Sequence, residues 1–128
     1  MKKRFLITMV AAISTLLGCQ AQSFRSVEVE EFEKIIVDSA VVRLDVRTDK
    51  EFAEGHIAGA VCIDVLQENL FAERAAALLP KDKTIALYCR SGRRSKKAAG
   101  ILAGMGYTVV ELNSGWIGWT AAGKEIEK

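Results

Sequence analysis

Short apolar runs rich in β-branched residues recur along this chain, and segments of helical spacing separate them. Val41 to Val46 reads VVRLDV, Val61 to Val65 reads VCIDV, Thr84 to Tyr88 reads TIALY and Thr108 to Leu112 reads TVVEL. Each is bounded by turn residues and predicts a strand, with a shorter candidate at Val27 to Val29. Between them, Phe32, Ile35 and Ile36 repeat at helical spacing within Glu30 to Asp38. Asp49 to Glu54 predicts a short helical turn that Gly55 ends, and Leu66 to Leu79 a helix that Pro80 stops. Ser95 to Met105 predicts a helix with Gly106 as its C-cap, and Trp116 to Ala122 a last one. Strict alternation of this kind predicts an α/β domain with a five-stranded, mainly parallel sheet flanked by helices. A chain of 128 residues suits one such domain. TIALY, apolar almost throughout, belongs at the sheet centre.

The amino-terminal stretch falls outside that pattern. Lys2, Lys3 and Arg4 precede an apolar run from Phe5 to Leu17, the form of an export signal and too short for a comfortable transmembrane helix. The run ends in Leu16-Leu17-Gly18-Cys19, which resembles the lipobox of bacterial lipoproteins. That resemblance implies cleavage after residue 18, lipid on Cys19, a polar tether over 19–25 and a folded domain over 26–125. The expected location is the cell envelope, lipid-anchored and facing the periplasm or the exterior. Gln20 stands in place of the aspartate associated with inner-membrane retention, which points to the outer membrane. Cleavage leaves 15 of the 18 basic residues and all 16 acidic ones, a formal net charge of −1. The basic character of the full sequence therefore belongs to the signal and gives no reason to expect nucleic acid as a partner.

Two cysteines remain in the predicted domain. Cys62 lies in the apolar run AVCIDV and reads as a small buried hydrophobe. No CxxC and no Cys/His cluster of metal spacing accompanies it, so no metal site is expected. Cys89 is different. It ends the most apolar strand and is followed by Arg90-Ser91-Gly92-Arg93-Arg94-Ser95 and a helix. In a parallel sheet, ligands bind at the carboxyl ends of strands. A tight loop there can turn its amides toward one point, and the helix start adds its positive dipole end. Gly92 supplies the backbone freedom such a turn needs, and three arginines add charge. A cysteine at that focus is expected as a thiolate, and the cradle suits a small anionic substrate beside it.

The segment CRSGRRS, Cys89 to Ser95, resembles the active-site loop of rhodanese-family sulfurtransferases. Leu44-Asp45-Val46-Arg47, then Glu51-Phe52, then Gly55-His56-Ile57-Ala58-Gly59-Ala60 resembles a second motif of that family. The carboxyl-terminal GYTVVELNSGWIGWTAAG resembles its last strand and closing helix. Together these span nearly all of the predicted domain and are most similar to small, exported, single-domain members. The resemblance implies a three-layer rhodanese-like fold and a thiosulfate sulfurtransferase without metal or organic cofactor. Cys89 would take the outer sulfur of a small anionic donor as a persulfide and pass it to a thiophilic acceptor, cyanide or a thiol. Amides from Arg90 to Ser95 would stabilise the thiolate and the persulfide. Arg90, Arg93 or Arg94 would bind the donor's sulfonate, with Arg94 the first choice because it closes the loop at the helix start. Ala58 departs from a common proline, and Asn113-Ser114-Gly115 from a common Gly-Gly pair.

Asp45 and Arg47 follow a strand end and can line the site. Their expected role is support, with Asp45 tying down neighbouring loops and Arg47 paired with Glu51. His56, the single histidine, reads as a turn or helix-end residue, and Trp116 and Trp119 read as packing or lid residues. One alternative is a cysteine phosphatase or arsenate reductase, which uses a C-x5-R loop where this chain has C-x4-R from Cys89 to Arg94. Another is a persulfide carrier or binding module without rapid turnover.

Overall fold

The computed structural model describes residues 23–128. The predicted signal and the predicted lipid site Cys19 lie outside the described residues. The elements follow in the order β1 (Arg25–Val27), α1 (Val29–Ile36), β2 (Val41–Asp45), α2 (Asp49–Glu54), β3 (His56–Ile57), β4 (Val61–Cys62), α3 (Glu68–Leu78), β5 (Thr84–Tyr88), α4 (Arg93–Gly104), β6 (Val109–Leu112), α5 (Gly115–Ala121) and β7 (Ile126–Glu127).

Five strands form one parallel sheet in the order β1-β6-β5-β2-β4. TIALY is the central strand, as its apolar sequence predicts, because a strand covered on both faces has no solvent side to supply. Side chains alternate between the faces. Ile85 and Leu87 of β5 join Leu44, Phe71, Ala98 and Leu102 beneath α3 and α4. Ala86 and Tyr88 join Phe32, Ile36, Val110, Leu112 and Trp119 beneath α1 and α5. The domain is thus three layers with two apolar cores. The same alternation aims Cys89, next in the odd-numbered series, toward the α3/α4 face.

Several element limits differ from the sequence-based ones, for local reasons. β1 begins at Arg25 and stops at Val27, since Arg25, Ser26 and Val27 pair with Val110, Glu111 and Leu112. Val29 instead opens α1. β4 is only Val61–Cys62, because Ile63 and Val65 then send their N–H groups one-sidedly to Asp45 O and Val46 O at the sheet edge. α4 starts at Arg93, two residues early, with Gly92 as its N-cap at φ 100°. A short antiparallel pair, β3 with β7, was not predicted; two-residue strands leave no periodicity to read.

Tyr88 fastens that outlying pair to the sheet. Its hydroxyl donates to Asp45 Oδ2 at 2.7 Å and accepts the N–H of Ile57 in β3 at 2.9 Å. Burial, and then the Asp45 carboxylate, push its phenol far above the ordinary tyrosine range, so the hydroxyl stays protonated. Tyr88→Phe removes both bonds from a fully buried position. It is expected to cost about 1–3 kcal/mol, read as a lower melting temperature with the far-UV circular dichroism unchanged.

Candidate active site

The loop after β5 is held from one side by α5. Trp116 N–H donates to Cys89 O at 2.8 Å and Ile117 N–H to Arg90 O at 3.1 Å. A trans peptide plane points its N–H opposite to its C=O. Fixing the carbonyls of Cys89 and Arg90 on α5 therefore turns the N–H groups of Arg90 and Ser91 away from it. Gly92 N–H donates to Cys89 Sγ at 3.1 Å. Arg93, Arg94 and Ser95 form the first turn of α4, where amides have no intrahelical acceptor. Among the described residues, no protein acceptor takes the N–H groups of Arg90, Ser91, Arg93, Arg94 or Ser95. Cys89 is 1% exposed, with its thiol on the Gly92 N–H and the loop's unengaged amides and the positive end of α4 in the same short segment.

Two glycines make this closure possible. At Gly115, φ is 61°, and a Cβ would lie 2.5 Å from Arg90 O and 2.7 Å from Cys89 O. At Gly92 a Cβ would collide with Asn113 O. The Asn113-Ser114-Gly115 turn therefore keeps a glycine at the position where the loop and α5 meet. Ser114 replaces the other glycine of the common pair. Its buried hydroxyl lies against Gly118 and has no hydrogen-bond partner among the described residues.

The cations divide into two sets. Arg90 and Arg93 are exposed and meet no acidic side chain among the described residues. Arg94 instead donates from Nη1 and Nη2 to Glu51 Oε1 and Oε2, at 2.8 and 3.0 Å. Here the structure corrects a sequence-based expectation. Arg47 does not pair with Glu51; it grips Asp45 through Nε and Nη2, the shortest bond being 2.7 Å, and donates to Gly55 O at 2.6 Å. The reason is alternation: Asp45 and Arg47 lie two residues apart on one side of the chain, while Glu51 caps α2 and faces α4. Burial opposes the Arg47 charge, but the hydrogen bond to Asp45 together with the surrounding negative charge, that of Asp45 foremost, outweighs it and raises the pKa. Trp116 covers this guanidinium, 4.6 Å from its ring centroid. Asp45 and Arg47 thus form a buried brace that also holds Tyr88.

Ser95 lies in the loop segment, but its hydroxyl is not presented to the thiol. It is buried and donates to Glu111 Oε2 at 2.5 Å. Glu111 is fully buried in β6, also takes the hydroxyl of Ser26, and lies 3.2 Å from Lys96 Nζ. Lys96 in turn donates to Asn113 Oδ1 at 2.7 Å. Sequence reading missed both Glu111 and Lys96. A lone acid inside TVVEL and a flat run of cations carry no pairing signal. Ser91 is exposed at the loop tip.

The remaining candidates sit outside the cradle. His56 stacks on Phe52 with ring centroids 3.7 Å apart, and its Nδ1 donates to Phe52 O at 2.8 Å. Cys62 is half-buried rather than part of an apolar core. Its Sγ is 3.4 Å from Arg47 O, and burial with nearby Asp45 and Asp49 pushes the thiol up to about 12. A groove of about 540 Å³ beside Phe24, Lys34 and Tyr107 lies at the amino ends of the strands, opposite Cys89. No group of three His, Cys, Asp or Glu among the described residues has metal-holding geometry.

A buried thiol between a central strand and a helix start, in a parallel three-layer α/β domain, is an arrangement suited to nucleophilic attack on a small anion. The "Rhodanese-like domain" family model matches residues 28–122, and the chain belongs to that family. It is similar to "Thiosulfate sulfurtransferase PspE" of Escherichia coli, 40% identical over 73 residues that cover 56% of this chain and 67% of that protein. It is also similar to "Sulfurtransferase" of Allochromatium vinosum, 37% identical over 87 residues that cover 67% and 78%. Among solved structures, a rhodanese-related protein of Thermoplasma volcanium superposes with a TM-score of 0.71 at 28% identity, covering 81% of this chain and 98% of that one.

Gly115→Ala places a methyl group against Arg90 O in a left-handed conformation. The combined overpacking and backbone cost is about 3 kcal/mol, and Cys89 is expected to lose its reactivity toward sulfur donors. Gly123→Ala is the control, since Gly123 also has positive φ, 71°, but open space around it. It is expected to cost about 1 kcal/mol and to leave Cys89 reactive, which thermal melts with thiol-modification rates will check.

Proposed function

We propose that the protein is a sulfurtransferase that moves a sulfane sulfur from thiosulfate to a thiophilic acceptor through a persulfide on Cys89. The observation that carries this reading is the Cys89 Sγ, buried and accepting the Gly92 N–H, at the mouth of α4 among unengaged amides. The Cys89 thiolate attacks the outer sulfur of thiosulfate. A sulfur–sulfur bond forms, the bond within the donor breaks, and sulfite leaves with its electron pair. The persulfide anion now occupies the amide cradle, which suits a terminal sulfur carrying charge. Cyanide or a thiolate then attacks that terminal sulfur and Cys89 leaves as the thiolate it began as. No step requires a metal or an organic cofactor. Arg90 and Arg93, exposed and without acidic partners, are suited to gather the anionic donor at the rim.

The C-x4-R loop favours sulfur over a tetrahedral phosphate or arsenate, because the shorter loop encloses less space. Turnover of an aryl phosphate that is absent from Cys89→Ser would instead support the phosphatase reading.

Intact mass after mixing with thiosulfate tests the central step. A gain of one sulfur on the wild type and none on Cys89→Ser is expected. An equal gain on both, or no gain at all, overturns the reading. A stable persulfide with slow turnover to cyanide would mark a carrier that serves a protein thiol.

We also propose that the protein is lipid-anchored through Cys19 and works in the cell envelope, on the outer membrane where the organism has one. The lipobox-like Leu16-Leu17-Gly18-Cys19 supports this. Cys19→Ala is expected to move the protein from the membrane fraction to the soluble one. A wild type that is already soluble would overturn the anchor.

A further inference from the structure

Arg94 lies in the first turn of α4, at the end of the loop that Cys89 opens, yet both of its terminal nitrogens are taken by Glu51. Glu51 is held in place independently of Arg94. It is the third residue of α2, where its carboxylate accepts the Thr48 N–H and hydroxyl and its own N–H donates back to Thr48 Oγ1. This reciprocal cap sets the carboxylate at the edge of the cysteine loop. The pair is three-quarters buried, with side chains 22% and 25% exposed, so solvent screens it less than a surface pair. The Arg94 hydrogen bond holds the Glu51 carboxyl at about 2, so it is ionised at any ordinary working pH.

A guanidinium matched by a fixed carboxylate still offers N–H donors but contributes little net field. The unmatched loop cations, Arg90 and Arg93, are exposed and screened. A donor approaching the buried thiol therefore meets aligned amides rather than a strong net positive charge. Amides recognise an anionic oxygen or sulfur; a second full charge on the donor adds little there. We infer that Glu51 is a specificity-determining residue: by pairing with Arg94 it limits the advantage of doubly charged sulfane-sulfur donors over singly charged ones. This rests on the sulfur-transfer reading of Cys89.

Glu51→Gln is the clean probe, because a glutamine in this position can still accept the Thr48 N–H while its charge is gone. Thiosulfate carries two negative charges and benzenethiosulfonate one. With either, the Cys89 thiolate attacks the outer sulfur, the donor's sulfur–sulfur bond breaks, and sulfite or benzenesulfinate leaves with the electron pair. The readout is the ratio of kcat/KM for the two donors with cyanide as acceptor. Glu51→Gln is expected to raise the thiosulfate to benzenethiosulfonate ratio about fivefold at low salt, less at high salt. Arg94→Gln, which leaves the Glu51 carboxylate uncancelled, is expected to lower the ratio, and the double variant to return it to about the wild-type value. An unchanged ratio in Glu51→Gln, or a double variant that keeps the raised ratio, overturns the inference. Salt supplies a second readout: Arg90 and Arg93 act on both proteins alike, so the ratio is expected to fall more steeply with added salt in Glu51→Gln than in the wild type, and equal slopes overturn the inference too. A wild type that takes sulfur from neither donor would overturn the sulfurtransferase reading itself. One that uses both donors while these ratio tests fail would overturn the role of Glu51 alone.

Discussion

Two backbone hydrogen bonds, from Trp116 and Ile117 of α5 to the carbonyls of Cys89 and Arg90, decide what the cysteine loop can do. Each fixes a peptide plane, and each plane then presents its N–H on the other side. An anion cradle is the result of that orientation rather than of charge alone. The cost is steric: Gly92 and Gly115 must approach the backbone more closely than a Cβ permits. The loop is therefore made by its contact with the element that follows β6 as much as by its own sequence.

Charge around the loop runs against the usual helix preference. Arg93, Arg94, Lys96 and Lys97 all lie in the first five residues of α4, at the positive end of its dipole, and no acid accompanies them in that turn. Three are compensated from other elements: Arg94 by Glu51, Lys96 by Glu111 and Lys97 by Glu68. Arg93 and, ahead of the helix, Arg90 are not compensated. The arrangement concentrates uncancelled charge at the rim and backbone donors at the thiol. That division of labour suits a site that must attract an anion and also let a smaller anion leave.

The brace on the opposite face of the sheet has a different task. Asp45, Arg47 and Tyr88 are buried and bonded to one another, and Trp116 covers them. Buried charges of this kind are tolerated only when fully paired. Through Gly55 O and Ile57 N the brace ties α2 and β3 to the ends of β2 and β5. It thereby sets where Glu51 stands relative to α4. The D-x-R and cysteine motifs, distant in sequence, meet through this chain of contacts.

Much of this was legible in residue order. Alternating apolar runs dictated the parallel three-layer fold, because only helices on both faces cover strands with no polar side. TIALY identified the central strand, and a cysteine at its carboxyl end followed by glycine and arginines marked the candidate nucleophile and its loop. The cap residue Thr48 and its partner Glu51 were also there to be read, as the T-x-x-E of TDKE. What order alone did not determine was partnership. Arg47 has acids at both i−2 and i+4, and only the pleat of β2 and the cap of α2 assign it to Asp45 and free Glu51 for Arg94. Glu111 looks misplaced in an apolar strand until Ser26 of β1 and Ser95 and Lys96 of α4 surround it. Local periodicity reports which face a residue occupies, a property of the nearest few residues. The identity of a charge's partner depends on how separate elements close over one another, and that is decided only when the tertiary structure forms.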